Sequence, residues 1–362
     1  MAIDIIRFTR GVPPPISFPT ERLISITTDL LKNEGSTLLQ YGNSYGYFPL
    51  RELIANQFQV DIDRVVLGQG SLQLLDHLLR VEKKKTLSIC IEEPTYDRTI
   101  TIINRAKAKL TSVPITSDGF DISYLEKMFA GGRGIDYLYI IPDFQNPSGT
   151  IMDLDTRKRI VELAKQHHFL IIEDSPYRRL RYEGDDIPSC FEISPDNVIH
   201  MSSFSKLVCP GLRVGFMILP TNLAKRVAKI AEDTYINPSF LNQALVFRFS
   251  SDGFLDEHLI LLKNLYNTRR QAMFQALDDC MADLGEWTKP KGGFFIGLTL
   301  NRKVKITSLM KAAFSKGLQL TDGRRFFIHG GETFIRLPFC ALTPVQIQQG
   351  ISRLQSTISS LE

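Results

Sequence analysis

The feature that most constrains this chain is a regular alternation in its middle. Short apolar runs lie at residues 87–91, 109–113, 137–141, 170–172, 198–201 and 214–219. Segments of helical spacing fall between several of them, such as 123–129 and 155–167; the second carries Ile160, Val161, Leu163 and Ala164 on one face. Strands that alternate with helices pair in parallel and are covered by helices on both faces. In such a sheet a ligand sits beyond the carboxyl ends of the strands. The polar motifs of this chain fall at those ends: Gly70-Ser71 after the run at 64–67, Glu92-Glu93-Pro94-Thr95-Tyr96, Asp143-Phe144-Gln145-Asn146-Pro147, Glu173-Asp174-Ser175-Pro176-Tyr177, and Lys206.

The flanks read differently. Residues 7–15 are Pro-rich and predict an extended arm. Helical spacing follows over 20–32, then a Gly-rich aromatic loop from Tyr41 to Arg51. Residues 219–283 read as largely helical. From Trp287 the character shifts, with strands at 293–300 and 333–337 and helices at 308–317 and 344–361. The expected organisation is an arm at 1–19, a large domain at 36–285, and a smaller α+β domain from 20–35 and 286–362. A chain of 362 residues is long enough for two domains.

Composition narrows the partners. The net charge is +4, and the densest basic run, 82–85, reads as a solvated loop, so nothing calls for nucleic acid. No stretch of about 18 apolar residues predicts a membrane span. Charges at Asp4, Arg7 and Arg10 argue against a signal peptide. The five cysteines are scattered without a CxxC pair, which predicts reduced thiols in the cytoplasm and no zinc site.

Several residues carry chemistry. In Ser203-Phe204-Ser205-Lys206…Pro210-Gly211-Leu212-Arg213, a shielded lysine would lose its charge easily and act as an amine nucleophile. It would form a Schiff base with an aldehyde cofactor whose phosphate sits among Ser203, Ser205 and Arg213. The plain alternative is a surface loop. The backbone of Gly70, Ser71 and Leu72, between a strand and a helix, can donate to a phosphate, although no Walker pattern follows. Asp174 can hold a pyridinium nitrogen in its charged form, or cap a helix. Asn146 and Tyr177 can reach a phenolate oxygen. Tyr96 can stack on a flat ring or lie in the core. Arg336, in an apolar strand, needs an anion: a substrate carboxylate or a structural ion pair.

Taken together, Tyr41-Gly42…Gly46…Leu50-Arg51, Gly70-Ser71, Glu93-Pro94-Thr95-Tyr96, Gln145-Asn146-Pro147-Ser148-Gly149, Asp174-Ser175-Pro176-Tyr177, Ser203-Phe204-Ser205-Lys206, Pro210-Gly211-Leu212-Arg213, Lys291-Gly292-Gly293-Phe294 and Ile335-Arg336-Leu337 resemble the class I/II aminotransferases. The similarity runs the length of the chain. It is strongest to the branch of 2-aminoadipate and aromatic aminotransferases and MocR-like regulators. The resemblance implies a fold-type-I pyridoxal 5′-phosphate (PLP) enzyme: a three-layer α/β/α large domain with a mostly parallel sheet, plus a smaller α+β domain. It implies that Lys206 forms the Schiff base and moves the proton at the substrate Cα. Asp174 pairs with the ring nitrogen, Asn146 and Tyr177 contact the phenolic oxygen, and Tyr96 stacks. Gly70, Ser71, Leu72, Ser203, Ser205 and Arg213 bind phosphate. Tyr41 reaches the phosphate of a second subunit, so a homodimer with shared sites is expected. Arg336, with Asn146 and the backbone near Gly11, holds the substrate carboxylate.

The expected activity is amino transfer from an L-amino acid to a 2-oxo acid. Elimination, replacement, decarboxylation or carbon–carbon bond formation in a biosynthetic pathway is the alternative, because all begin from the same Schiff base. A PLP-sensing regulator would need a DNA-binding segment ahead of a fold that starts almost at Met1. The chain departs from the family it resembles in a short connection at 58–64. It also has Thr321-Asp322-Gly323 where a Pro-Gly pair is usual. Arg7, Arg10, Arg324 and Arg325 are either solvated surface or the wall of a pocket for a more anionic or bulkier substrate.

Overall fold

The computed structural model describes residues 4–82, 84–116, 119–301 and 304–361. Lys83 of the basic run and the first three residues of the arm lie outside them. Among the described residues the strands form an eight-stranded sheet in the order Val65–Gly68, Gly215–Ile218, Val198–Ser203, Leu170–Asp174, Tyr137–Ile140, Ser88–Glu93, Lys109–Thr116, Gly119–Phe120. The pairs from Val198–Ser203 through Lys109–Thr116 are parallel. Gly215–Ile218 runs antiparallel to both of its neighbours.

Strand residues alternate between two cores, because successive side chains leave a strand on opposite faces. Val66, Ile91, Tyr139, Ile172, Ile199 and Met217 pack on one face under helices Ser71–Val81, Asp97–Arg105 and Thr221–Tyr235. Val65, Leu67, Leu138, Ile140 and Ile171 pack on the other, with Leu50, Ile54, Ile160 and Leu163 from helices Phe48–Phe58 and Leu154–His167. Each of these side chains is almost fully buried, which contributes about 1.5–3 kcal/mol apiece. Asp153 caps the Leu154–His167 helix by accepting from the Thr156 N–H.

The second core continues without a break beneath a three-stranded antiparallel sheet made of Gly285–Trp287, Phe295–Leu300 and Phe334–Pro338. Strand Gly285–Trp287 was not expected; its three residues are extended only because Phe295–Leu300 pairs with them. Helix Pro344–Ser359, opened by a Thr343/Gln346 capping box, packs along the long helix Phe254–Met281. The first helix runs from Thr20 to Leu38, past the expected stop at residue 32 and through Gly35. It lies along helix Phe240–Ser251, and that packing outweighs the cost of one internal glycine, about 1 kcal/mol.

The arm is extended as expected, and it is also paired. Ile6–Phe8 forms a parallel ladder with Leu318–Leu320, with Arg7 opposite Gln319. Ile6 and Phe8 are buried while Arg7 points outward. Among the described residues no helix is long and apolar enough to cross a membrane. None of their His, Cys, Asp and Glu clusters could hold a metal. Cys90, Cys190, Cys209, Cys280 and Cys340 are free thiols.

Candidate active site

A cavity of about 980 Å³ opens at the carboxyl edge of the large sheet. Gly11, Gly70, Ser71, Leu72, Tyr96, Asn146, Asp174, Tyr177, Ser203, Ser205, Lys206, Arg213 and Arg336 all line it. Of the site residues expected from the sequence, Tyr41 alone stands elsewhere. It is 76% exposed on the loop before helix Phe48–Phe58.

Asp174 closes strand Leu170–Asp174 and is buried. The strand's alternation sends it and its neighbour Glu173 to opposite faces. Glu173 accepts from the backbone N–H groups of Cys190 (3.1 Å) and Phe191 (3.0 Å), away from the cavity. Asp174 Oδ2 accepts from the Tyr139 hydroxyl at 2.7 Å. Oδ1 is buried with no partner among the described residues. Burial pushes the Asp174 carboxyl up to about 6, against the pull of Tyr139 and His200.

A cradle for an anion stands at another part of the wall. Helix Ser71–Val81 begins there after Gly70, whose φ is +93°. Its first N–H groups have no partner within the helix and carry the positive end of the helix dipole. That φ favours glycine at position 70, and an added Cβ would lie 2.4 Å from Arg213 Nη2 and displace the guanidinium. That guanidinium donates to the Gln69 carbonyl (2.9 Å) and the Ser205 hydroxyl (3.3 Å), and Ser203 Oγ donates to Ser205 Oγ (2.9 Å). Gly215 packs so closely behind the turn that its Cβ would stand 2.4 Å from the Ser71 nitrogen.

Lys206 leaves the turn after strand Val198–Ser203, and its Nζ donates to the Gly11 carbonyl at 3.0 Å. Burial lowers the pKa of this ammonium, helped by Arg213 and Arg336. Arg336, buried in strand Phe334–Pro338, donates to Asn146 Oδ1 (2.9 Å) and the Thr9 carbonyl (2.6 Å). Its Nε is buried without a partner among the described residues. Around the mouth stand Arg7, Arg10, Arg98 and Arg325, the last paired with Asp97 at 3.1 Å. Arg324 does not line the cavity; it pairs with Asp322 at 2.7 Å.

Two groups were not foreseen. Tyr139 resembles any core tyrosine in its strand, and only the pairing of strands brings it to Asp174. The Thr9 carbonyl carries no sequence signal at all; the arm delivers it.

Chemically, the cavity offers an amine that loses its proton readily, a buried carboxylate oxygen lacking a donor, and a separate phosphate-sized cradle. A phosphorylated pyridine aldehyde fits these demands: its ring nitrogen would supply a donor to Asp174 Oδ1, and its phosphate would suit the Ser71–Arg213 cradle. Fold and site thus place the protein among the fold-type-I enzymes that work with pyridoxal 5′-phosphate. The sequence model of aminotransferase class I and II matches residues 5–354, and the chain belongs to that family.

The chain is 31% identical to aromatic-amino-acid aminotransferase 1 of Thermococcus litoralis, over 98% of this chain and 88% of that one. It is 31% identical to the 2-aminoadipate transaminase of Thermus thermophilus, over 99% and 91%. The kynurenine aminotransferase of Pyrococcus horikoshii, solved with PMP, superposes with a TM-score of 0.94 at 30% identity, over 99% and 91%. HTH-type transcriptional regulators also match, as the resemblance of the sequence implied. The protein is a PLP-dependent aminotransferase, and these relatives favour amino transfer over the other reactions that start from the same Schiff base.

Proposed function

We propose that this aminotransferase takes the amino group of an L-amino acid with an acidic side chain and passes it to a 2-oxo acid, with Lys206, Asp174 and Arg336 as its working centre. One observation carries the reading. These residues come from separate strands and a loop, yet face one cavity, and among the described residues Asp174 Oδ1 and Arg336 Nε are each left without a partner.

When bound, PLP supplies the carbonyl that captures the amine and the electron sink that stabilises charge at Cα. The other tasks fall to the chain. Asp174 Oδ1 holds the ring nitrogen in its protonated state, an opposite charge favouring the cation. The N–H groups of Ser71 and Leu72, the turn at Gly70, the hydroxyls of Ser203 and Ser205, and Arg213 hold the phosphate. Tyr96 covers one face of the ring. Asn146, its Oδ1 already engaged by Arg336, turns its amide Nδ2 to the phenolic oxygen beside Tyr177. Lys206 Nζ takes the proton from the substrate Cα and returns it. Arg336 grips the α-carboxylate, which displaces the Thr9 carbonyl; the Gly11 backbone lies beside it.

The mouth supports an acidic side chain. Among the described residues Arg7 and Arg10 form no ion pair, although both line the cavity. An unpaired guanidinium at a cavity wall binds carboxylates well. One relative is named for 2-aminoadipate, an amino acid of that type.

The site would be shared in a cytoplasmic homodimer. Leu39, Tyr41 and Phe48 are 73%, 76% and 55% exposed along one short stretch. An exposed apolar patch of this sort suits a subunit interface, and it would carry Tyr41 to the partner's phosphate. The arm at 1–19 and a small domain of 20–35 and 286–362 would close over the large domain at 36–285.

The test is a substrate screen followed through the cofactor spectrum. Acidic amino acids, added without a 2-oxo acid, should convert the bound cofactor stoichiometrically to its pyridoxamine form. Release of ammonia or carbon dioxide over many turnovers, without pyridoxamine, would overturn the proposal.

A further inference from the structure

Asp174 depends on one neighbour. Strands Tyr137–Ile140 and Leu170–Asp174 run in parallel with Tyr139 opposite Ile172, so the Tyr139 ring lies on the same face as Asp174, one pleat back. Its hydroxyl reaches Oδ2 at 2.7 Å, and among the described residues this is the only hydrogen bond that Asp174 receives. Tyr139 is fully buried and Asp174 only 5% exposed, so the contact is shielded from bulk solvent.

Burial works against a charged Asp174. Glu92, 1% exposed on the adjacent strand Ser88–Glu93, is a second carboxyl in the same interior, and a charged Asp174 raises its proton affinity. The phenols of Tyr96 and Tyr177 also face Asp174, while His200 favours its anion. Glu92 has its own donors, the Ile141 N–H (2.9 Å) and Gln145 Nε2 (3.0 Å). Among the described residues Asp174 has only the phenol.

A phenol is the right kind of donor for this task. It is neutral, so it orients Oδ2 without cancelling the negative charge. A lysine or arginine in its place would satisfy the carboxylate and remove its attraction for a ring cation.

We propose that Tyr139 is a positioning residue for Asp174: its hydroxyl fixes Oδ2 so that Oδ1 stays ionised and aimed at the ring nitrogen of the cofactor. The proposal rests on the reading that Asp174 pairs with that nitrogen. Without the phenol, Asp174 would compete for the ring proton. A ring nitrogen that loses its proton withdraws fewer electrons, and the nitrogen joined to Lys206 becomes more basic.

The experiment titrates the visible absorbance of the PLP-loaded protein against pH for wild type, Tyr139→Phe, Tyr139→4-aminophenylalanine and Asp174→Asn. Melting of each apo-protein is recorded alongside. Tyr139→Phe should raise the titration midpoint by about one pH unit and weaken PLP binding about tenfold, the scale of a hydrogen bond to a charged group. The 4-aminophenylalanine variant keeps an N–H donor on the same ring and should return both values to near wild type. Asp174→Asn should move the midpoint further in the same direction.

If Asp174→Asn moves the midpoint and Tyr139→Phe does not, the role of Tyr139 is rejected while that of Asp174 stands. Equal shifts in both Tyr139 variants would assign the effect to ring packing and reject it as well. If Asp174→Asn leaves the midpoint at the wild-type value, the pairing of Asp174 with the ring nitrogen fails, and this proposal fails with it.

Discussion

Burial of a carboxyl group turns pH into a stability variable. Glu92 is buried behind the site, and desolvation pushes its pKa from the ordinary 4.5 up to about 8, against the hydrogen bonds from Gln145 and Ile141. The folded protein therefore binds this proton more tightly than the unfolded chain. Its contribution is fully present below about pH 4.5 and is lost as pH rises through 8, at about 1.4 kcal/mol per pH unit across that interval. Glu92→Gln keeps the shape and removes the titration. Wild-type melting temperature should fall more steeply than that of Glu92→Gln between pH 6 and 8.5; parallel curves would show that Glu92 does not carry the effect. Lys206→Ala should fold and bind PLP without the absorbance band of the lysine-bound cofactor. Arg10→Ala should raise KM for an acidic amino acid about tenfold, as for loss of one charged contact, and leave an apolar amino acid within about twofold. Equal effects on both substrates would remove Arg10 from side-chain recognition. At this scale the sequence was most legible where chemistry and backbone coincide. Asp174 ends an apolar run, Lys206 sits among small hydroxyl residues, and Gly70 marks a turn. Tyr139 was illegible because its partner is set by strand pairing. The part played by Thr9 was illegible because it acts through a carbonyl that every residue has.

Among the elements, strand Gly215–Ile218 meets the start of helix Ser71–Val81 backbone to backbone at the site. A Cβ on residue 215 would meet the Ser71 nitrogen at 2.4 Å and the Gly70 carbonyl carbon at 2.6 Å, both backbone atoms that cannot rotate away. Gly215→Ala should push the helix start outward, weaken PLP binding at least tenfold and destabilise the apo-protein by about 1–3 kcal/mol. Titration of apo-protein with PLP, with melting in parallel, checks both. Parallel strands and their covering helices were readable because a strand buried on both faces is continuously apolar. Element ends were less so. Helix Thr20–Leu38 continues through Gly35 because its packing partner, Phe240–Ser251, lies some two hundred residues away in sequence. Strand Gly285–Trp287 has no period of its own to read.

For the molecule as a whole, the loop at Tyr41 is the piece that its own cavity does not use. If Tyr41 serves a second subunit, mixtures of two crippled variants should recover activity. Lys206→Ala and Tyr41→Ala, unfolded together and refolded as a mixture, should regain up to about a quarter of wild-type activity, since about half the dimers are hybrids and each hybrid has one complete site. No recovery beyond the sum of the separate variants would place Tyr41 outside the shared site. The order of motifs along the sequence made a single composite site legible at this scale. How the ends of the chain meet was not legible, because nothing in the Pro-rich arm announces a partner at residues 318–320.

That meeting has a consequence for how the protein is made. Ile6–Phe8 pairs with Leu318–Leu320, so this segment must wait for one synthesised about three hundred residues later. Thr9 and Gly11, whose carbonyls engage Arg336 and Lys206, wait with it. The large sheet has all its strands once residue 218 has emerged, whereas the arm can settle on the cavity only after residue 320 has. A nascent chain would therefore expose its reactive lysine in an open groove while about a hundred further residues are made, accessible to cofactor from the surrounding solution before the arm settles over it.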